Sequence, residues 1–368
     1  MKESLRQAAG SLLVVGLADK ELTPLERAWL KLIRPAGIIL FKRNIVDAAQ
    51  TRALLAESIG FCAPHCGTFV DVEGGTVDRL RDVLAPIPPV EAVAQAARQK
   101  GKAALAREHG ELIAHAVKAF GFNSSLAPVL DLALPESRSV MTTRCAASTG
   151  AGVVAYALEF FAGLKSQGVV GCGKHFPGLG GGTLDSHLET PKIRRGWDEL
   201  WKEDMAPYRA LRNAMPMVMV NHAAYPLTAD PERPATVSKF WMQTVLRKRI
   251  GYRGIVVSDD LEMGGVAKFM PIANAAVETV RLGADLALIC HHPEPIFEAY
   301  EALIREGERS AAFGKILSGR ARDSARKRIK AFPAKMPQAL TARQFEALRA
   351  KILRFSETVA KAAAERNA

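Results

Sequence analysis

Residues 254–263 read GIVVSDDLEM, an apolar run that stops abruptly on a serine and two aspartates. A continuous β-branched run, with no polar alternation, is what a parallel strand looks like when helices cover one face and packed side chains fill the other. Asp259 and Asp260 then stand at the carboxyl tip of that strand. Working outward, seven further runs have the same character: Leu12 to Val15, Gly37 to Leu40, Thr68 to Val70, Ser125 to Ala127, Val169 to Cys172, Met217 to Val220 and Leu286 to Ile289. Between them lie segments long enough to be crossover helices: Pro24 to Leu32, Ala48 to Ile59, Lys102 to Phe120, Gly152 to Gln167, Lys239 to Arg249 and Ile272 to Leu282.

Eight βα units predict an α/β fold, a (β/α)8 barrel of the TIM type with additional C-terminal helices; an open doubly wound sheet is the rival. The polar residues favour the barrel. Asp71 and Glu73 follow strand three, Asp131 follows strand four, Lys174 and His175 strand five, Asn221 and His222 strand six, and His291 and His292 strand eight. Such barrels carry their reactive groups at the carboxyl ends of the strands, so this one-sided bias locates a mouth. The 368 residues exceed the roughly 250 of a simple barrel. We therefore divide the chain into a barrel over 1–317 and a helical extension over 318–368, packed on the barrel.

Composition narrows the function. With 48% hydrophobic and 24% charged residues, the chain has material for a large core and no disordered signature. The net charge of +12 is concentrated: Arg305 to Lys335 holds ten Lys/Arg against three Asp/Glu. A solvated basic helix explains that stretch, since no aromatic interleaving or nucleic-acid motif accompanies it. Five cysteines, Cys62, Cys66, Cys145, Cys172 and Cys290, are few and odd in number, which points to a reducing compartment rather than a disulfide framework. The Cys62/Cys66 pair has no second ligand pair, so it reads as loop thiols and not as zinc. No run approaches the 18 or so residues of a membrane span. The segment AAGSLLVVGLA after Arg6 imitates a short signal peptide, but flanking acids, two glycines and the missing A-x-A site favour a first strand and a cytoplasmic protein.

Two blocks carry chemistry. In SDDLEM, Asp259 can present a carboxylate from rigid backbone to an electrophilic carbon, although an Asp there can equally cap the next helix. Lys174 to Pro191 reads KHFPGLGGGTLDSHLETP. Its glycines permit tight turns and closure over a site. Asp185 and His187, two residues apart, face the same way in an extended stretch, so the carboxylate can fix one imidazole nitrogen and leave the other to move a proton. A loop His also serves simply to cap turns. GLGGG lacks the Walker ending and the dinucleotide fingerprint, which removes a nucleotide cradle.

These blocks resemble glycoside hydrolase family 3, specifically its bacterial β-N-acetylglucosaminidases of the peptidoglycan-recycling type. The resemblance rests on KHFPGLG with DSH four residues on (Lys174 to His187), SDDL (Ser258 to Leu261), DVEGG (Asp71 to Gly75) and LAPVLDL (Leu126 to Leu132), and spans roughly residues 10–305. It implies a double displacement: Asp259 attacks the anomeric carbon, His187 protonates the leaving oxygen, and Asp185 tunes His187. Most retaining glycosidases pair two carboxyl groups about 5 to 5.5 Å apart. An imidazole, with an ordinary pKa near 6.5, can donate and then accept the proton without large tuning. The resemblance gives sugar contacts to Asp71, Arg79, Arg144, Lys174 and His175, with His222 a further candidate. The chain departs from the pattern at Thr76, where an Arg is common, and at His291 and His292, where residues are usually less ionisable.

The expected activity is removal of terminal, non-reducing β-linked N-acetylglucosamine, from muropeptide-type fragments, with no metal or organic cofactor. The expected partner is a small carbohydrate, with no nucleic acid and no membrane span, in a monomer or weak homodimer. The alternatives are a β-glucosidase, a phosphorylase acting on the same glycosides, a sugar-binding protein without turnover, and a nucleic-acid binder working through the basic tail.

Overall fold

The computed structural model describes residues 4–99, 101–141, 143–182 and 190–364. Eight parallel strands close into a barrel in chain order: β1 (Leu13–Gly16), β2 (Gly37–Leu40), β3 (Gly67–Val70), β4 (Ser124–Ser125), β5 (Val170–Phe176), β6 (Met217–Val220), β7 (Ile255–Asp260) and β8 (Leu286–Ile289). Leu13 lies opposite Ala287 and Val15 opposite Ile289, so β8 pairs with β1 and the open sheet is excluded. Each of the eight runs picked from the sequence falls on a strand of this barrel, the fourth only at Ser125, because continuous apolar runs are what two buried faces require.

The two faces of each strand feed two cores. Along β6, Met217 and Met219 join the inner cluster with Val14, Ile39, Phe69, Leu126, Cys172 and Val257. Val218 and Val220 point out and join the larger cluster beneath the helices. That outer layer is tight. A Cβ on Gly110 would stand 2.3 Å from the Phe160 carbonyl, and one on Gly163 would stand 2.2 Å from that of Arg107. The helices Ala104–Ala119 and Gly150–Ser166 therefore cross with backbone against backbone. The segment expected as a helix from Lys239 is instead wound more widely over Phe240–Arg249, and the Ile250 N–H reaches five residues back to the Val245 carbonyl at 2.9 Å. Hydrophobic spacing over so few turns does not separate that winding from an α-helix.

The amino-terminal end of the barrel is sealed by a later part of the chain. Phe332, just beyond the helix Ala311–Ala331, packs edge-on against Phe69 with ring centroids 5.6 Å apart and belongs to the inner cluster. Gly67 leaves room for these rings, since a Cβ there would lie 2.3 Å from the Phe69 ring and 3.2 Å from that of Phe332. Polar contacts hold the seal in place. His65 Nδ1 donates to the Phe332 carbonyl (3.1 Å), Arg328 donates to that of Pro64 (2.9 Å), and Lys327 meets the buried Asp285 carboxylate at 2.7 Å, which Arg247 shares at 2.9 Å. The last helix, Ala342–Ala364, buries Ile352 and Phe355 against the helices Val90–Gln99 and Ala104–Ala119. The Phe355 ring stacks on His109, whose imidazole burial pushes down to about 3, so it is neutral at this contact. All five cysteines are free and buried. Among the described residues, no helix is long and apolar enough to cross a membrane.

Candidate active site

The carboxyl ends of the strands surround a cavity of about 550 Å³. Its apolar floor is the top of the inner core, Ile39, Leu126, Met219 and Leu288, and its walls are the polar residues that follow the strands. After β3 the chain folds into a short hairpin, Val72–Gly74 with Val77–Asp78. Gly74 and Gly75 adopt φ of +93° and +66°, and a Cβ on Gly74 would lie 2.3 Å from the Pro88 carbonyl, so the turn of EGG needs glycine.

That hairpin brings Glu73 back, fully buried, to face Arg144, which grips both carboxylate oxygens at 2.8 Å. Lys174 from β5 lies between two acids, 2.6 Å from Glu73 and 2.8 Å from Asp71, and Arg79 stands 3.8 Å from Asp71. Burial works against each charge here, and the opposite charges prevail. Arg144 and Lys174 hold Glu73 far below the usual carboxylate range, and Lys174 and Arg79 hold Asp71 below it. Asp71 and Glu73 in turn raise the Lys174 ammonium above its ordinary value. The five residues, two carboxylates among three cations, form a charge-paired network that presents Asp71, Arg79, Arg144 and Lys174 to the cavity in fixed directions.

His175 is the next wall residue, and Asp131 aims it. The carboxylate accepts from His175 Nδ1 at 2.7 Å, which places the proton on Nδ1. Asp131 also accepts from the backbone N–H of His175 (3.2 Å) and of Leu179 (2.7 Å), so it anchors the start of the glycine-rich segment to the barrel. At the far end of that segment, the Thr190 hydroxyl donates to the Gly265 carbonyl at 2.7 Å. Both anchors belong to the cavity's surroundings: Leu179 lines it, and Gly265 follows the lining residue Met263. Asp185 and His187 lie outside the described residues.

Opposite this network, the tip of β7 presents Asp259, half-buried, to the cavity. One of its carboxylate oxygens accepts the Asp260 N–H at 2.9 Å. Among the described residues, Asp259 is the one cavity carboxylate without a basic side-chain partner, since Asp71 has Lys174, Asp260 has His291 (3.3 Å) and Glu262 has His292 (2.7 Å). Its neighbours are tied down. Glu262 accepts from the backbone N–H groups of Cys290, His291 and His292, clamping the loop after β8 to the loop after β7.

Residues 4–316 match the model of the glycosyl hydrolase family 3 N-terminal domain. The chain belongs to this family. As a family 3 glycoside hydrolase it is similar to the β-hexosaminidase of Methylococcus capsulatus, 37% identical over 288 residues that cover 78% of this chain and 85% of that protein. The β-hexosaminidase of Alkalilimnicola ehrlichii is 38% identical over 287 residues, covering 77% and 82%. Among solved structures, a family 3 β-N-acetylglucosaminidase from Paenibacillus sp. FPU-7 matches with a TM-score of 0.85 at 30% identity, over 97% of this chain and 69% of that one. Native NagZ from Neisseria gonorrhoeae matches with a TM-score of 0.76 at 29% identity, over 96% and 98%.

In this family 3 barrel, six of the residues singled out from the sequence, Asp71, Arg79, Arg144, Lys174, His175 and Asp259, line one cavity. His222 does not line it. It is fully buried behind the tip of β7, with Nε2 donating to the Asp260 carbonyl (2.9 Å) and Nδ1 2.9 Å from the Thr236 hydroxyl. Burial lowers its pKa, which keeps the ring neutral in that contact. A histidine after a strand can point outward as readily as inward, and its position alone does not separate the two. Glu73, Asp131 and Glu262 turn out to organise the site although none was assigned a role, and Phe41 and Arg43, which follow β2, had drawn no notice. The rule that polar residues at strand ends form the mouth, applied to β2 as well, finds Arg43.

Proposed function

We propose that this chain removes terminal, non-reducing β-linked N-acetylglucosamine with retention, through a covalent glycosyl-enzyme. Asp259 attacks the anomeric carbon. His187, paired with Asp185, protonates the departing oxygen and then takes a proton from the attacking water. Asp71, Arg79, Arg144, Lys174 and His175 hold the sugar by charge-assisted hydrogen bonds.

The observation that carries this reading is the state of Asp259. Among the described residues every other carboxylate at the cavity has a lysine or histidine partner, whereas this one is half-buried, aimed from rigid β7 and without one. A nucleophile needs that freedom, and a structural carboxylate does not. The β-hexosaminidases among the relatives support the choice of an N-acetylhexosaminide. Muropeptide-type fragments in the cytoplasm are the substrate we favour within that class. We also propose the working division of the chain: residues 1–317 carry the site, and the chain from 318 on, which begins within the helix Ala311–Ala331, braces the barrel from the other side.

The test is turnover of aryl β-N-acetylglucosaminide and aryl β-glucoside, each with and without inorganic phosphate, repeated with Asp259→Ala. The N-acetylated substrate should be preferred, phosphate should not alter the product, and the variant should lose several orders of magnitude in rate. Wild-type turnover by Asp259→Ala overturns the mechanism. A glycosyl phosphate product makes the chain a phosphorylase, and preference for the glucoside makes it a β-glucosidase.

A further inference from the structure

The wall of the cavity that runs from β2 past β1 and β8 to β7 contains a chain of contacts that the catalytic reading leaves unused. Arg43, in the short turn Lys42–Asn44 after β2, reaches across the top of the barrel. Its guanidinium donates to the carbonyls of Leu17 (3.0 Å) and Cys290 (2.7 Å), which follow β1 and β8, and lies 4.9 Å over the Phe41 ring. Its remaining nitrogen, Nη1, stands 3.1 Å from His291 Nδ1. Arginine has donors only, so Nδ1 must accept and the His291 proton must sit on Nε2. Nε2 faces the Asp260 carboxylate at 3.3 Å.

Asp260 itself is fixed by hydrogen bonds on its other sides. Its other carboxylate oxygen accepts the Glu262 N–H (3.1 Å), its carbonyl accepts from His222 Nε2 (2.9 Å), and its own N–H is the group that holds Asp259 (2.9 Å). The direction of the Asp259 carboxylate is therefore set by a peptide whose side chain lies 3.3 Å from His291 Nε2. We propose that His291 is a positioning residue for glycosyl transfer: a neutral imidazole that links the Arg43 brace to Asp260 and so keeps Asp259 aimed into the cavity. This rests on the reading of Asp259 as nucleophile. The His291 side chain is 42% exposed at the cavity rim, so its removal leaves the core intact and a folding defect is not expected.

The experiment uses the full chain and an aryl β-N-acetylglucosaminide, with kcat and KM measured separately and thermal midpoints recorded. His291→Phe keeps a ring against Phe41 but neither polar contact. It should lower kcat about tenfold with KM within about twofold, because misaiming a reacting group costs rate more than binding. His291→Gln can place Nε2–H toward Asp260 and Oε1 toward Arg43, and should recover kcat to within about threefold of wild type. Wild-type kcat in His291→Phe, a loss confined to KM, or an equal loss in His291→Gln each overturns the proposal. Asp259→Ala is assayed in parallel. If it is inactive, those outcomes bear on His291 alone; if it turns over like wild type, the nucleophile reading falls and takes this proposal with it.

Discussion

Lys174→Met tests the electrostatics of the site most directly. The wild-type ammonium is 3% exposed and lies 2.6 Å from Glu73 and 2.8 Å from Asp71. Methionine replaces its apolar stem without the ammonium and leaves two carboxylates in a buried place with one cation fewer. Removing one member of a buried ion pair costs about 3 to 5 kcal/mol. Arg144 still grips Glu73 at two points and Arg79 still stands near Asp71, so the lower figure of about 3 kcal/mol applies. At roughly 2.1 cal/mol/K of unfolding entropy per residue, that loss lowers the thermal midpoint of a 368-residue chain by about 4 °C. The pH dependence gives the cause away. In the wild type both carboxyls titrate below their unfolded values, so their stabilisation is complete at neutral pH and is lost only as pH falls beneath about 4. Without Lys174, Asp71 keeps only Arg79 at 3.8 Å, so burial should dominate there and raise its pKa above the unfolded value, while Arg144 still holds Glu73 down. The variant then gains stability on going from pH 7 to pH 5, and its gap from wild type narrows. The assay is thermal unfolding followed by circular dichroism at both pH values. A gap under about 1 kcal/mol at pH 7, or one that stays constant or widens at pH 5, refutes the reasoning.

Two further outcomes follow from features away from the cavity. Phe332→Ala removes a ring from the inner core and should cost about 3 to 5 kcal/mol, read as a lower thermal midpoint with KM unchanged in the folded fraction. Burial raises Asp204 to about 6, with Arg195 at 2.9 Å opposing it. The folded form therefore holds a proton that the unfolded chain has released, and stability falls as pH rises between about 4 and 6. Asp204→Asn should flatten that slope without abolishing it, because Asp78 is raised to about 6 as well, and an unchanged slope counts against the assignment.

The barrel was legible because its strands are buried on both faces, and IVV before Ser258 or MVMV over Met217–Val220 admits little else in a chain of this pattern. The cavity residues were legible through position, since a polar group just past such a strand has the mouth to face. What stayed hidden was pairing. Nothing in DVEGG says that Glu73 turns back to meet Arg144, because the turn depends on two glycines at positive φ and the partner lies 71 residues further along. The inward or outward choice at His222 is likewise made by Thr236 and the Asp260 carbonyl, contacts that no local spacing encodes. The sealing of the barrel by Phe332 was beyond reach for the same reason. A basic helix followed by AFPAK gives no sign that its one aromatic ring enters the interior.

That ring has a bearing on how the chain can vary. The match to the family's N-terminal domain stops at residue 316, whereas Phe332 and its tethers Lys327 and Arg328 come afterwards. A protein trimmed to the shared stretch would have every residue of the cavity and yet a core open to water at its base. Because the cavity opens at one end of the tube and the stopper is fitted at the other, the base can be repacked without moving a residue of the cavity, provided the replacement still brings something greasy to the hole.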